Sequence, residues 1–340
     1  MEREGATLDG DRVLHFGDPA RELRQAAGDA LLDLSTMGLL RVSGADAGTF
    51  LSGQLTQDVR DLDGTQHRLG AYCTAQGRML AILRVFRRGQ DYYALLPRAL
   101  VATTLERLRR YVLRAKVTFE SIDSLICLGI AGPGSTAHIE HALGHVPGEP
   151  GAATTQNDFT ALRLPGPTPR FIVIGPLASQ QNVWREWRHA ATPVGTSVWD
   201  WYDIRAGLPT VLPQTVEAFV PQMANLDLVG GISLTKGCYP GQEIVARMHY
   251  LGRLKQRMYR AHVAHTTAPQ PGEDVYAPML RGQSAGTVVV AHANPEGGHE
   301  LLAVIQIAAV DTEAHQLRLH NERGPALQLD TLPYAVAASS

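Results

Sequence analysis

Residues 233–257 read SLTKGCYPGQEIVARMHYLGRLKQR. Gly237 and Gly241 flank a Cys-Tyr-Pro triplet, so the backbone there is expected to turn tightly and to lie open to approach. Behind it Ile244, Val245, Met248 and Leu251 form an apolar stripe that stops at Gly252, which predicts a short helix. Pro240 stands near its first turn, and Glu243 is placed to reach back as a cap. Cys238 then sits just ahead of a helix N-terminus. The partial positive charge there, with Lys236 two residues away, favours the thiolate. The expectation is a loop-borne, accessible, nucleophilic sulfur, able to attack an electrophile, form a mixed disulfide or ligate a metal transiently. A solitary cysteine is more often a small buried hydrophobe. The glycines, the lysine and the lack of apolar neighbours weigh against that here, although they name no reaction.

Downstream of Glu243 no acid occurs before Glu273, while Arg247, Arg253, Lys255, Arg257 and Arg260 accumulate. This suggests a local basic surface, with a solvated strand edge as the equal alternative. After about residue 250 short strands are punctuated by Gly and Pro (QRMYRAHVAH, GTVVVAHA, ELLAVIQIAAV, HQLRLHN), the pattern of a small antiparallel barrel or sandwich.

Upstream the pattern is mixed. GLLRVSG reads as a strand, and residues 45–54 as a helix opened by Asp46. Apolar runs at 79–86 and 92–96, joined by RRGQD, predict a hairpin. Val101, Leu105, Leu108 and Val112 recur at helical spacing, with Arg107, Arg109, Arg110 and Arg114 on other faces. Strands follow at 117–119 and 125–130, then a helix before His141, a strand at 171–174 and a helix over 178–190, with 144–155 as a loop or linker. The fold class is α+β, of split-βαβ (ferredoxin-like) units, duplicated. The expected organisation is a loose lead-in over 1–28, an α+β region of two interleaved subdomains over 29–245 and a C-terminal barrel over 246–336.

Composition sets outer bounds. At 340 residues the chain has room for two or three domains. With 44% apolar and 19% charged residues it is of ordinary globular type, and a net charge of −2 argues against direct nucleic-acid binding as a global property. No stretch is long and apolar enough to predict a membrane span. The polar, acidic N-terminus lacks a secretory pattern. Cys73, Cys127 and Cys238 are far apart and odd in number, which favours a reducing compartment and disfavours a zinc or iron–sulfur site built from this chain alone. The expected location is the cytoplasm.

The segment Lys236, Gly237, Cys238, Tyr239, Pro240, Gly241, Gln242, Glu243, followed by V-A-R at 245–247, resembles the K-G-C-Y-x-G-Q-E signature of the YgfZ family. Other stretches agree in order: G-A-D at 44–46, Q-L-T-x-D-V at 54–59, A-G-L-P at 206–209, F-V-P-Q at 219–222, and N-L-D at 225–227 leading into G-G-I-S. The resemblance runs from about residue 31 to 334. It implies an aminomethyltransferase-like (GcvT-like) fold, with α+β domains and a β-barrel around a central channel for tetrahydrofolate or a related reduced folate. It also implies support of iron–sulfur enzymes, among them a tRNA-thiolating one, with Cys238 the residue most tied to that role and Lys236 beside it. A transient iron–sulfur cluster and iron–sulfur client or assembly proteins are the further cofactor and partners it suggests. Its candidate folate contacts are Trp199, Met37, Arg205, Tyr239, Gln242, Glu243 and Arg247, with Trp201 competing for the stacking role of Trp199.

Two departures qualify the resemblance. True aminomethyltransferases carry paired aspartates where this chain has Ala81 and Ile82, soon after the stretch at 74–77, so methylene transfer lacks its general acid/base. At the folate site Met37 replaces a second tryptophan and Arg205 a frequent glutamate. Whether the chain is an enzyme stays open. The alternatives are a folate-dependent one-carbon transferase, which the missing carboxylate argues against, and a non-catalytic adaptor for iron–sulfur clients.

Overall fold

A computed structural model describes residues 5–10, 12–250, 252 and 254–336. Leu251 and Arg253, counted above in the helical stripe and the basic run, lie outside them. By internal packing the chain forms two units, residues 1–70 with 83–199 and residues 71–82 with 200–340, a partition different from the expected boundaries at 28 and 245.

The segment expected as a loose lead-in has structure of its own. β1 (Thr7–Asp9) pairs with β2 (Arg12–His15), and α1 (Pro19–Gln25) starts on Asp18, whose carboxylate accepts the Arg21 N–H at 3.0 Å. Val13 and Leu23 are buried. The Glu22 carboxylate is buried too, and accepts N–H groups of Phe16 and Gly195 at 2.7 and 2.9 Å. One charged side chain thus ties the segment down, where no hydrophobic period announced it.

After β3 (Ala30–Asp33) come β4 (Met37–Ser43), α2 (Ala47–Gln54), β5 (His67–Cys73), β6 (Met79–Arg88), β7 (Asp91–Pro97), α3 (Arg98–Arg109) and β8 (Thr118–Ser121). Their sheet has the order β5-β6-β7-β4-β8. Without the edge strand β5, this is the antiparallel order of a split βαβ unit. The amphipathic helix forms as expected, with Val101, Thr104 and Leu108 buried. Asp46 does stand at the start of α2, but its carboxylate accepts the Lys116 N–H at 2.7 Å instead of capping the helix.

The pattern then repeats: β9 (Leu125–Ala131), α4 (Ser135–Leu143), β10 (Ala153–Gln156), β11 (Phe159–Arg163), β12 (Arg170–Pro176), α5 (Leu177–Trp187) and β13 (Thr192–Val194). The sheet order is β10-β11-β12-β9-β3-β13, so a second split βαβ unit has accepted β3 between two of its strands. Leu31, Leu128, Ile130, Phe171, Val173 and Trp187 fill its core. β10 overlaps the end of the expected linker, where Gly and Pro masked a short strand. α6 (Ser197–Arg205), which the sequence reading did not anticipate, spans the division between the units.

In the second unit α7 (Gln242–Tyr250) precedes β14 (Gln256–Val263), β15 (Asp274–Tyr276), β16 (Ser284–Ala293), β17 (His299–Gln306), α8 (Ile307–Glu313), β18 (Arg318–Leu319) and β19 (Leu327–Asp330). The strands pair antiparallel in the order β18-β15-β16-β17-β14-β19 over a core that includes Val263, Val275, Leu301, Ile305 and Leu317. In place of the closed barrel expected, this is a curled half-barrel sheet. The strand expected through LLAVIQIAAV stops at Gln306 and turns helical, in keeping with the alanine pair at 308–309.

One buried histidine makes the first unit sensitive to acid. His67 donates from Nε2 to the Arg163 carbonyl at 2.8 Å, which leaves Nδ1 to accept from Arg84 Nη1 at 3.1 Å. Burial, and then the Arg84 charge, push its pKa down to about 3. The unfolded chain takes up that proton near pH ~6.5. The stabilisation is therefore complete above that pH and is lost as pH falls from ~6.5 toward 3. Urea midpoints should drop across this window, and His67→Gln should flatten the drop; an unchanged pH slope in the variant would refute the assignment.

Candidate functional site

Three stretches far apart in sequence meet in the second unit: the turn at 74–77, the segment 217–227, and the loop 233–241 leading into α7. The turn is closed by bonds from the Gly77 N–H to the Thr74 carbonyl and from the Thr74 N–H to the Arg78 carbonyl, both 2.9 Å. Immediately after it, Met79 exchanges backbone bonds with Glu217 and Phe219 at 2.8 and 2.9 Å.

The F-V-P-Q and N-L-D stretches supply the scaffold. Gln222 is buried and donates to the Val245 carbonyl at 2.7 Å, fastening α7. Asn225, with φ of 57°, donates to the Met258 carbonyl at 2.8 Å. Asp227 accepts both Nη groups of Arg257, at 2.7 and 2.9 Å. The expected basic surface shrinks accordingly. Arg257 is held by Asp227, Arg260 lies 3.7 Å from Asp330, and Arg247 lies 3.1 Å from Glu243. The Glu243 carboxylate thus bonds forward along the helix to Arg247, not back as the expected cap.

The two glycines of the signature have different reasons to be there. Gly241 has φ of +83°, and a Cβ on it would lie 2.6 Å from both the Gly77 Cα and the Thr74 carbonyl oxygen. Gly77, itself at φ +73°, would bring a Cβ to 3.1 Å from Ile244. The loop therefore rests backbone to backbone on the turn, which only glycine permits. Gly237 has no left-handed φ, and a Cβ there would meet nothing within 4 Å. The tight turn expected at both glycines is required at Gly241 alone.

Along this loop Lys236 and Tyr239 are buried and Cys238 is exposed. Lys236 Nζ lies 4.1 Å from the Tyr239 ring centroid and donates to the Gly237 carbonyl at 3.2 Å. The Tyr239 carbonyl accepts the Gln242 N–H at 3.1 Å, joining the loop to α7. Tyr239 is buried; burial, and secondarily the nearby Cys73, raise the pKa of its hydroxyl, which stays protonated. Cys238 is exposed, whereas Cys73 and Cys127 are buried and burial pushes both thiols up to about 12. At neutral pH those two sulfurs are unreactive thiols.

The expected folate contacts are shared between the two units. Trp199 is 2% exposed. The Arg170 guanidinium covers its ring at 5.1 Å, and its edge presses on Gly129, where a Cβ would come within 2.7 Å. Its ring is therefore packed against side chains and backbone of the first unit. Met37, also of the first unit, is half-buried at the start of β4. Arg205, in the second, lays its guanidinium 5.0 Å over Trp201, near the buried Glu300 carboxylate. Ala81 and Ile82 are buried apolar residues, so no carboxylate stands there. Sequence reasoning missed the role of the 74–77 turn as the seat of the loop; the shared glycines 77 and 241 were its only trace.

Residues 15–148 match the family model described as GCVT N-terminal domain. The chain is 31% identical over 307 residues to tRNA-modifying protein YgfZ of Cronobacter sakazakii, covering 90% of this chain and 93% of that one. It is 30% identical over 318 residues to the protein of the same name from Klebsiella pneumoniae, covering 92% and 97%. Among solved structures, the glycine cleavage system aminomethyltransferase T of Bartonella henselae superposes with a TM-score of 0.81 at 19% identity, over 98% of this chain and 95% of that one. This likeness establishes the aminomethyltransferase fold and, by itself, no activity. Among the described residues no helix is long and apolar enough to cross a membrane.

Two measurements test the site geometry. Gly241→Ala should lower unfolding stability by about 2 kcal/mol or more, from the left-handed φ and the backbone clash, while Gly237→Ala should stay within about 0.5 kcal/mol of wild type. In the native protein iodoacetamide should label Cys238 and spare Cys73 and Cys127 until denaturant is added; equal labelling of all three would refute the contrast.

Proposed function

The chain belongs to the YgfZ family, and from that membership we propose that it supports iron–sulfur enzymes, including those that thiolate tRNA, through the sulfur of Cys238. The observation that carries this reading is the contrast among the three cysteines: two sealed in packed interior, one exposed on a loop anchored from both sides. An exposed thiol can ligate iron as the soft thiolate, releasing its proton to solvent as it binds. The cluster is cargo in this reading, met at Cys238 and completed by ligands of the partner.

Folate binding is the second part of the proposal, supported by the family and by the aminomethyltransferase fold. Of the contacts that the resemblance suggests, Trp199 is packed beneath Arg170, and where aminomethyltransferases carry paired aspartates this chain has Ala81 and Ile82. No chemical step is therefore assigned to a folate here, and one-carbon transfer of the glycine-cleavage type is not proposed.

Cys238→Ala in a strain deleted for this protein should leave iron–sulfur client activity at the deletion level; restoration equal to wild type would leave only an adaptor role. For the folate, tryptophan fluorescence should change saturably as a reduced folate is titrated. No change at about 1 mM ligand, where even a contact worth ~4 kcal/mol registers, would remove folate from the proposal.

A further inference from the structure

Of the chain's three lysines, Lys116 and Lys255 are exposed, whereas Lys236 is 7% exposed. An ammonium taken out of water needs compensation. Here it rests on the face of Tyr239, at 4.1 Å from the ring centroid, and donates to the Gly237 carbonyl at 3.2 Å. Tyr239 is equally covered, at 7%, and remains a neutral aromatic ring with its face available to a cation. The two inward residues bracket the outward pair Gly237 and Cys238, so the ammonium–ring contact closes the loop across the base of the thiol. The far side of the loop is fixed independently by Gly241 on the 74–77 turn.

We propose that Lys236 is a positioning residue: seated on the Tyr239 ring and bonded to the Gly237 carbonyl, it clamps the loop so that Cys238 is held turned to solvent. This rests on the reading of Cys238 as the reactive sulfur and adds how that sulfur is presented. Releasing the clamp lets the loop sample orientations in which the thiol is covered, so its average accessibility falls.

The test is the rate of Cys238 alkylation by iodoacetamide in the intact protein, followed from pH 6 to 9, with melting curves to confirm folding. Tyr239→Phe keeps the ring and should alkylate at the wild-type rate. Lys236→Met, which replaces a buried charge by an apolar chain of similar length and need not destabilise the fold, should slow alkylation about threefold or more. Tyr239→Leu should slow it too, and the double variant no further than Lys236→Met alone, because the ring acts only through the ammonium seated on it. The pH midpoint of the reaction should be common to all four. The clamp is overturned if the single effects multiply in the double variant. It is equally overturned if either single variant reacts as fast as wild type, or if Lys236→Met moves the pH midpoint while Tyr239→Leu does not, which would make the lysine a direct electrostatic partner of the sulfur. Client activity in the deletion strain reports on the functional reading separately, so the clamp can fail while that reading stands, and the reverse.

Discussion

Where the backbone at Gly241 lies on the turn at 74–77, there is no room for a β-carbon on Gly241, and one on Gly77 would crowd the Ile244 side chain. Both glycines adopt a left-handed φ, a conformation that other residues enter only with strain. This close approach sets where the loop lies, and with it the start of α7, the inward Lys236–Tyr239 pair and the outward Cys238. Because the contact is between backbones, it has few soft degrees of freedom. A side-chain contact could give by rotating; this one cannot.

Around that contact the second unit is held by polar side chains whose donors and carboxylate reach distant partners. Gln222 fastens α7, Asn225 reaches the β14 carbonyl at Met258, and Asp227 neutralises Arg257. Unanswered, each of these groups would cost of order 1–3 kcal/mol or more. Answered, they specify one arrangement of loop, helix and sheet. Stretches that look like functional signatures in the sequence, F-V-P-Q and N-L-D, are in this sense scaffold, and their polar residues serve the cysteine by holding the backbone that carries it.

The fold was legible wherever side-chain pattern and element coincided. The hairpin of β6 and β7, the amphipathic α3 and the strands of the second unit follow from apolar period and turn chemistry. What escaped was held by polar or single-residue devices: the N-terminal segment pinned by Glu22, the insertion of β3 into the second split βαβ sheet, and Asp46 spending its carboxylate on Lys116. At the candidate site the outward cysteine could be anticipated from its glycine-rich surroundings. The burial of Trp199 under Arg170 could not, because an aromatic at that spacing suits a core and a ligand shelf equally.

By itself, then, the sequence determined the class of elements and their order, the family, and the identity of the one cysteine set among glycines, since these depend on residue type and near-neighbour spacing. Only the tertiary structure decided which groups around that cysteine are shielded from water: Lys236 and Tyr239 within, Gly241 required by contact and Gly237 not, and Arg247, Arg257 and Arg260 set beside carboxylates. Burial and pairing depend on residues that are distant in the chain and adjacent in space, and no local pattern encodes that adjacency.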